Sequence, residues 1–331
     1  MKQLVLILVG LTLLSQLSQA RHSNLHEWRE YKLKYGKVYE SAEEDARRFG
    51  LFLAAKGRIR QHNAQNGSFK MGLNHLADSA PEELVGGFNY RPEFSEAKQR
   101  EAMGSLERIV NKTYPIPKEI DWRKEGRVSS VKDEGRCNSN WAFAVVGAME
   151  GQEKTRANIS EAKSLSVQAL LDCSGPKTGC KEGDIVDAMK AIPKIGGLEL
   201  EEDYPYTGKV GECRFDKAKS VIKNDGYYEF YGIGEDMLAS LVANYGPVAV
   251  GVSKRGWQYY KSGIFDGRQC NGDFDHAVLV VGYGTDPKLG DYWILKNSWS
   301  EKWGEAGYMR IRRRYFDCHI GAYSVIPQFN N

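Results

Sequence analysis

The spacing of apolar residues along this chain changes from one stretch to the next, and each change predicts a different kind of element. Leu4 to Leu14 is an almost unbroken apolar run behind Lys2 that leads to Ser18-Gln19-Ala20. That is the form of a targeting segment with a small-x-small cleavage site, and it is too short to span a bilayer. No later stretch approaches ~20 uninterrupted apolar residues, so no membrane span is expected. From about His26 to Asn63 apolar positions recur at helical spacing among Glu, Arg and Lys, which predicts a pair of helices. Within them Glu44, Arg48, Phe52, Ala55, Ile59 and Asn63 follow spacings of 4, 4, 3, 4 and 4, which puts all six on one helix stripe. From Asn89 to about Lys112 the chain is polar and charged with no apolar period, and reads as a linker.

The run Ala144 to Gln152 is apolar on nearly every side, as a buried helix is. Ser139 and Asn140 are good N-cap residues, so the helix is expected to begin there. Ser166 to Cys173 reads as a second helix, a Gly-rich loop surrounds Cys180, and Ile185 to Ile192 reads as a third. Beyond about Gly226 the texture changes to short β-branched or aromatic runs at Val248–Val252, Ala277–Tyr283, Tyr292–Leu295 and Tyr308–Ile311, separated by Gly, Asp and Asn turns. A helical half (about 116–225) followed by a β half (about 226–331) predicts an α+β protein of two subdomains, with a cleft between them as the place for a ligand.

Composition narrows the functions available. The formal net charge of +3 implies no nucleic-acid partner. All six cysteines lie between Cys137 and Cys318, as expected of a chain on an oxidising secretory route, and by count alone they allow 15 connectivities. Sequons at Asn66, Asn111 and Asn158 suit the same route.

Several segments resemble one family. Cys137-Asn138-Ser139-Asn140-Trp141 resembles the nucleophile segment of papain-family cysteine proteases, Cys-Gly-Ser-Cys-Trp, with Asn140 at the position of the attacking sulfur. The stripe from Glu44 to Asn63 is similar to the Glu-Arg-Phe-Asn-Ile-Asn motif of cathepsin L-like propeptides, with Ala55 for the first Asn. Gly72-x-Asn74-x-Leu76-x-Asp78 is similar to their second motif, with Leu76 for Phe. Tyr114 to Arg123 resembles the start of a mature papain-like enzyme. Asp275-His276-Ala277-Val278 resembles the segment of the catalytic base, and Asn297-Ser298-Trp299-Ser300 through Tyr308 the segment that orients it.

The resemblance implies a papain-like fold behind a helical propeptide: signal peptide 1–20, propeptide 21–115, peptidase domain 116–331. It implies disulfides Cys137 to Cys180, Cys173 to Cys213 and Cys270 to Cys318, a base at His276 held by Asn297, and Trp299 shielding their bond. Processing is expected near residues 113 to 117. Gly183 would pair with peptide backbone, and Phe274 beside Asp275 would form an apolar specificity pocket. Lys181 and Glu182 depart from the family's Asn and Gly there, and Asn138 from its Gly. Glu134 stands where the family has a Gln that donates to the oxyanion.

These departures bear on activity. A carboxamide at Asn140 is almost non-nucleophilic, and an ionised Glu134 only accepts hydrogen bonds. Loss of a triad nucleophile costs on the order of 10⁶ in rate and loss of one oxyanion donor about 10² to 10³. Asn140 is expected to serve as a helix N-cap, and Glu134 to pair with His276 and raise its pKa. The chain is thus expected to be a secreted or lysosomal peptidase homologue that binds peptides or proteins, its own propeptide among them, with neither cofactor nor metal. A competing reading is an active endopeptidase that uses His276 and Asn297 by an unusual route.

Overall fold

The computed structural model describes residues 22–330 except 85–86, 89–99, 101–103, 105–115, 176–178, 271 and 314–315, and the backbone alone at 155–156. The targeting segment, nearly all of the linker, Asn111 and Tyr114-Pro115 lie outside the described residues.

The expected N-terminal pair is helix α1 (22–35) and helix α2 (Ala42–Asn63). Ser41 caps α2 by accepting the Glu44 N–H at 3.1 Å, and Glu43, Glu44 and Asp45 in the first turn suit the positive end of the dipole. The six-residue stripe is the docking face of α2. Arg48 joins Glu44, Glu83 and the Asp78 carbonyl, Phe52 and Ala55 are buried, and Asn63 pairs with both backbone groups of Met71 at 2.8 and 2.9 Å. Met71 belongs to strand β1 (Phe69–Met71), which extends the sheet of the second half by pairing with β5 (Tyr260–Phe265). The Asn74 side chain donates to the Gln258 carbonyl, and Gln258 donates to Leu76 and Ser79, so N-terminal region and main body form one packed unit.

In the main body, helix α3 (Asn140–Arg156) lies against strand β6 (His276–Asp286) so closely that a Cβ on Gly147 would come within 2.8 Å of Leu279. Helices α4 (Val167–Cys173) and α5 (Ile185–Ile195) pack beside it, capped by Ser166 and Asp184. The sheet runs β1, β5, β8 (Tyr308–Arg312), β7 (Gly290–Lys296), β6, β4 (Val248–Val252), β9 (Tyr323–Gln328), β3 (Gly226–Tyr231), and short β2 (Ile120–Asp121) also pairs with β6. One apolar cluster joins this sheet to Trp28, Tyr31 and Phe52 of the N-terminal helices, and a second joins α3, α4 and α5 to its other face. Cys137 bonds Cys180, Cys173 bonds Cys213, Cys270 bonds Cys318, and no cysteine is free.

Two expectations need correction. The half beyond Gly226 also contains a helix, α6 (Gly234–Tyr245), whose Leu238, Leu241 and Val242 are buried under the sheet. Strands β3, β5 and β9 were not apparent in the sequence, because Glu229, the Lys261-Ser262-Gly263 run, Ser324 and Pro327 interrupt their β-branched and aromatic residues. No described helix is long and apolar enough to cross a membrane, and no described residues cluster as three or more metal-type ligands.

Candidate active site

His276 opens β6 and Asn297 follows the end of β7, so antiparallel pairing of these strands brings the two side chains together. His276 Nε2 lies 2.8 Å from Asn297 Oδ1, which also accepts the Ser298 N–H at 2.9 Å. That backbone donor identifies Oδ1 as the oxygen, so the imidazole carries its proton on Nε2 and leaves Nδ1 as a bare acceptor. The ring is 0 % exposed. Trp299 lies over it at 5.1 Å between centroids, and Trp257 meets it edge-on at 6.1 Å. Burial pushes its pKa down to about 3, the Lys254 charge adds to the shift, and the bond to Asn297 opposes it.

Asn140 is the first residue of α3 and 1 % exposed. It does not cap the helix. Its Oδ1 accepts the Ala277 N–H at 3.1 Å and its Nδ2 points at Glu134 Oε2 at 3.4 Å, so the carboxamide is fixed across the cleft between α3 and β6. Ser139 holds the cap position without a cap bond, because its hydroxyl is drawn to the Cys137 carbonyl and Tyr206.

Glu134 also departs from expectation. It makes no ion pair with His276, whose pKa moves down rather than up. Its Oε1 accepts the Trp299 indole N–H at 2.8 Å, and its other oxygen faces Asn140. Complete burial pushes the carboxyl up to about 7, while the Trp299 donor, the Lys254 charge and the Asn140 backbone and side-chain donors favour its ionised form. The indole that shields the histidine thus also fixes the acid, which leaves Glu134 no direct path to the imidazole.

The remaining wall residues meet the N-terminal region. Gly183 donates its N–H to the Gly87 carbonyl at 2.6 Å, and Phe88 forms a parallel bridge with it. A side chain on Gly183 would collide with the Trp141 indole, and one on Gly87 with the Asn138 carbonyl. The close approach lost by having Asn138 in this wall is therefore supplied by a glycine on the incoming strand. Phe88 is 5 % exposed and packs on Tyr323 and Gly251. Phe274 shares that pocket through an edge contact with Tyr323. Asp275 sits beside it, accepting the Lys254 N–H and facing its ammonium at 3.6 Å. Lys181 is exposed and Glu182 partly so, at the rim.

Sequence reasoning missed Phe88, Gly251, Asp184, Tyr323 and Lys254. Gly251 within Val-Ala-Val-Gly-Val was a legible signal, since a glycine inside a buried strand marks close approach. Asp184 was not: its carboxyl is buried against the Tyr323 hydroxyl at 2.9 Å and pushed up to about 6, a pairing across 139 residues. Exposed Asn66 and Asn158 leave two sequons accessible.

Comparison with known proteins finds matches for both the N-terminal region and the main body. A family model described as papain family cysteine protease matches residues 116–328, and one described as cathepsin propeptide inhibitor domain (I29) matches residues 28–84. Cathepsin L of Sarcophaga peregrina is 35% identical, with 99% of each chain covered. Cathepsin Q of Rattus norvegicus is 37% identical over 91% of this chain and 92% of its own. Among solved structures, digestive procathepsin L 3 of Tenebrio molitor larval midgut superposes with a TM-score of 0.81 at 35% identity, covering 92% of this chain and 99% of that one.

Proposed function

Since the chain belongs to the papain family of cysteine proteases, with cathepsin L-like relatives and an I29 propeptide domain, we propose that it is a homologue that binds peptides or a protein partner in its cleft without hydrolysing them. One observation carries this reading. The nucleophile position is filled by Asn140, whose carboxamide is hydrogen-bonded on both arms, while all six cysteines are consumed in disulfides. Neither a thiolate nor a substitute for one is present. Glu134 works against the second requirement, since it presents acceptor oxygens where an oxyanion needs a donor and draws the Asn140 N–H groups to itself. The propeptide is taken to span 21–115 and the peptidase domain 116–331. The Lys2 to Ala20 pattern and the three disulfides support a secreted or lysosomal location.

The test is turnover of a broad panel of fluorogenic peptides by the chain freed of its propeptide, at acidic and neutral pH, beside an Asn140→Cys, Glu134→Gln double variant. Turnover by the variant alone, larger by roughly 10⁶ than any from the unmodified chain, is expected. Hydrolysis by the unmodified chain that disappears in His276→Ala would overturn the reading.

A further inference from the structure

In the usual chemistry of acyl transfer, the site presents donors to a developing oxyanion and a base to a proton. This site presents the opposite set. The Trp299 N–H and both Asn140 nitrogens are directed at the Glu134 carboxyl, and the Asn140 carbonyl oxygen is spent on Ala277. His276 Nδ1 is wholly buried, carries a lone pair because Nε2 holds the ring proton, and has no hydrogen-bond partner among the described residues. No side-chain donor of Asn140 or Glu134 reaches it. The cleft therefore closes on one unpartnered acceptor, the Nδ1 of His276, beside a Glu134 carboxyl whose two oxygens already accept from Trp299 and Asn140.

We propose that the cleft selects a ligand presenting N–H donors at the lost nucleophile, a peptide ending in a primary carboxamide being the class that fits, over its carboxylate counterpart. The inference rests on the cleft-binding reading above and names the chemistry that such binding would favour. A terminal carboxamide offers an N–H to the Nδ1 of His276 and brings no charge to the side of Glu134. A terminal carboxylate offers none and would face Glu134, which repels it once ionised. An ammonium would meet the same acceptor but is opposed by the positive end of α3 and by Lys254, whose charge acts on Glu134 and His276 alike. A neutral donor satisfies all of these constraints together.

The experiment uses a pooled set of short peptides, each synthesised as a carboxamide and a carboxylate twin. They are titrated by fluorescence anisotropy against the full-length chain carrying Phe88→Ala, at about pH 8. Loosening the N-terminal strand imposes the same displacement on both twins, so their ratio reports the terminus. The carboxamide twins are expected to bind tighter by roughly tenfold or more, the scale of a hydrogen bond to a charged group against an unpaired one. Adding Glu134→Gln should bring the ratio towards one or reverse it. Adding His276→Phe, which keeps a flat ring without the acceptor, should weaken the carboxamide twins only. Equal binding of the twins, or tighter carboxylates, would overturn the inference and leave cleft binding standing. Absence of binding by either twin, with hydrogen exchange showing the Gly183 N–H released from Gly87, would overturn both.

Discussion

Replacing Glu134 by glutamine should flatten one specific part of the pH dependence of stability. The carboxyl moves from its ordinary 4.5 in the unfolded chain to about 7 in the folded one, chiefly through burial. A raised acid pKa means that folding favours the neutral form. The contribution is fully present below about pH 4.5 and is lost as pH rises through about 7. At 1.36 kcal/mol per pH unit this amounts to about 3 kcal/mol, and because the group is wholly buried no discount for solvent screening applies. Glutamine keeps an oxygen for the Trp299 N–H and cannot titrate. Its amide meets the Asn140 amide less well, but that offset does not vary with pH.

Denaturant unfolding of both chains, disulfides intact, at pH values from about 4.5 to about 8 gives the difference directly. The unmodified chain should lose about 3 kcal/mol relative to Glu134→Gln over that span, with half of the change reached at about pH 6. His276, Asp184 and the other titrating groups are common to both chains and cancel. Parallel stability curves would refute the raised titration of the buried carboxyl beside Trp299.

Three further outcomes follow from particular contacts. Phe88→Ala removes the ring seated on Tyr323 and Gly251 and should weaken the clamp of the N-terminal strand by about 3 kcal/mol, read as faster hydrogen exchange at the Gly183 N–H; unchanged protection there would count against the pairing with Gly87. Tyr323→Phe leaves the buried Asp184 without its hydroxyl donor and should lower stability by about 1 to 2 kcal/mol in urea, whereas an unchanged midpoint would show that the bond contributes nothing. Asn63→Ala strands the Met71 N–H and carbonyl and should cost about 2 kcal/mol or more, with β1 losing protection before β5, and a uniform loss of protection would contradict that local role.

Much of the fold was legible because its signals are local. The α2 stripe, the short helix after Ser166, the largely apolar α3 and the β-branched run of β4 each declare themselves within a dozen residues, and each is where the pattern put it. What failed was information held between distant residues. Helix α6 was hidden because Gly234 opens it and the surrounding texture is that of strands. Glu134 was expected to face His276 because both belong to one site, yet orientation within the site is decided by Trp299, 165 residues away, whose indole N–H takes one carboxyl oxygen.

The same distinction explains how the scaffold can persist with Asn140 and Glu134 in place. The bonds that hold His276, from Asn297 and the ring of Trp299, do not involve position 140 at all. Asn140 in turn is held by a backbone N–H of β6 and by Glu134, so the two departures from the family pattern satisfy one another across a 3.4 Å contact. Reverting either alone would leave a mismatched neighbour: a thiol beside an anionic carboxyl that raises its pKa, or a glutamine amide facing the Asn140 amide. Restoration of turnover should therefore require both changes, with Asn140→Cys alone recovering less than the double variant by about the 10² to 10³ assigned to one oxyanion donor. If the single variant equalled the double one in kcat at acidic pH, Glu134 in its neutral form would itself be supplying that donor, and the coupling between positions 134 and 140 would be confined to stability.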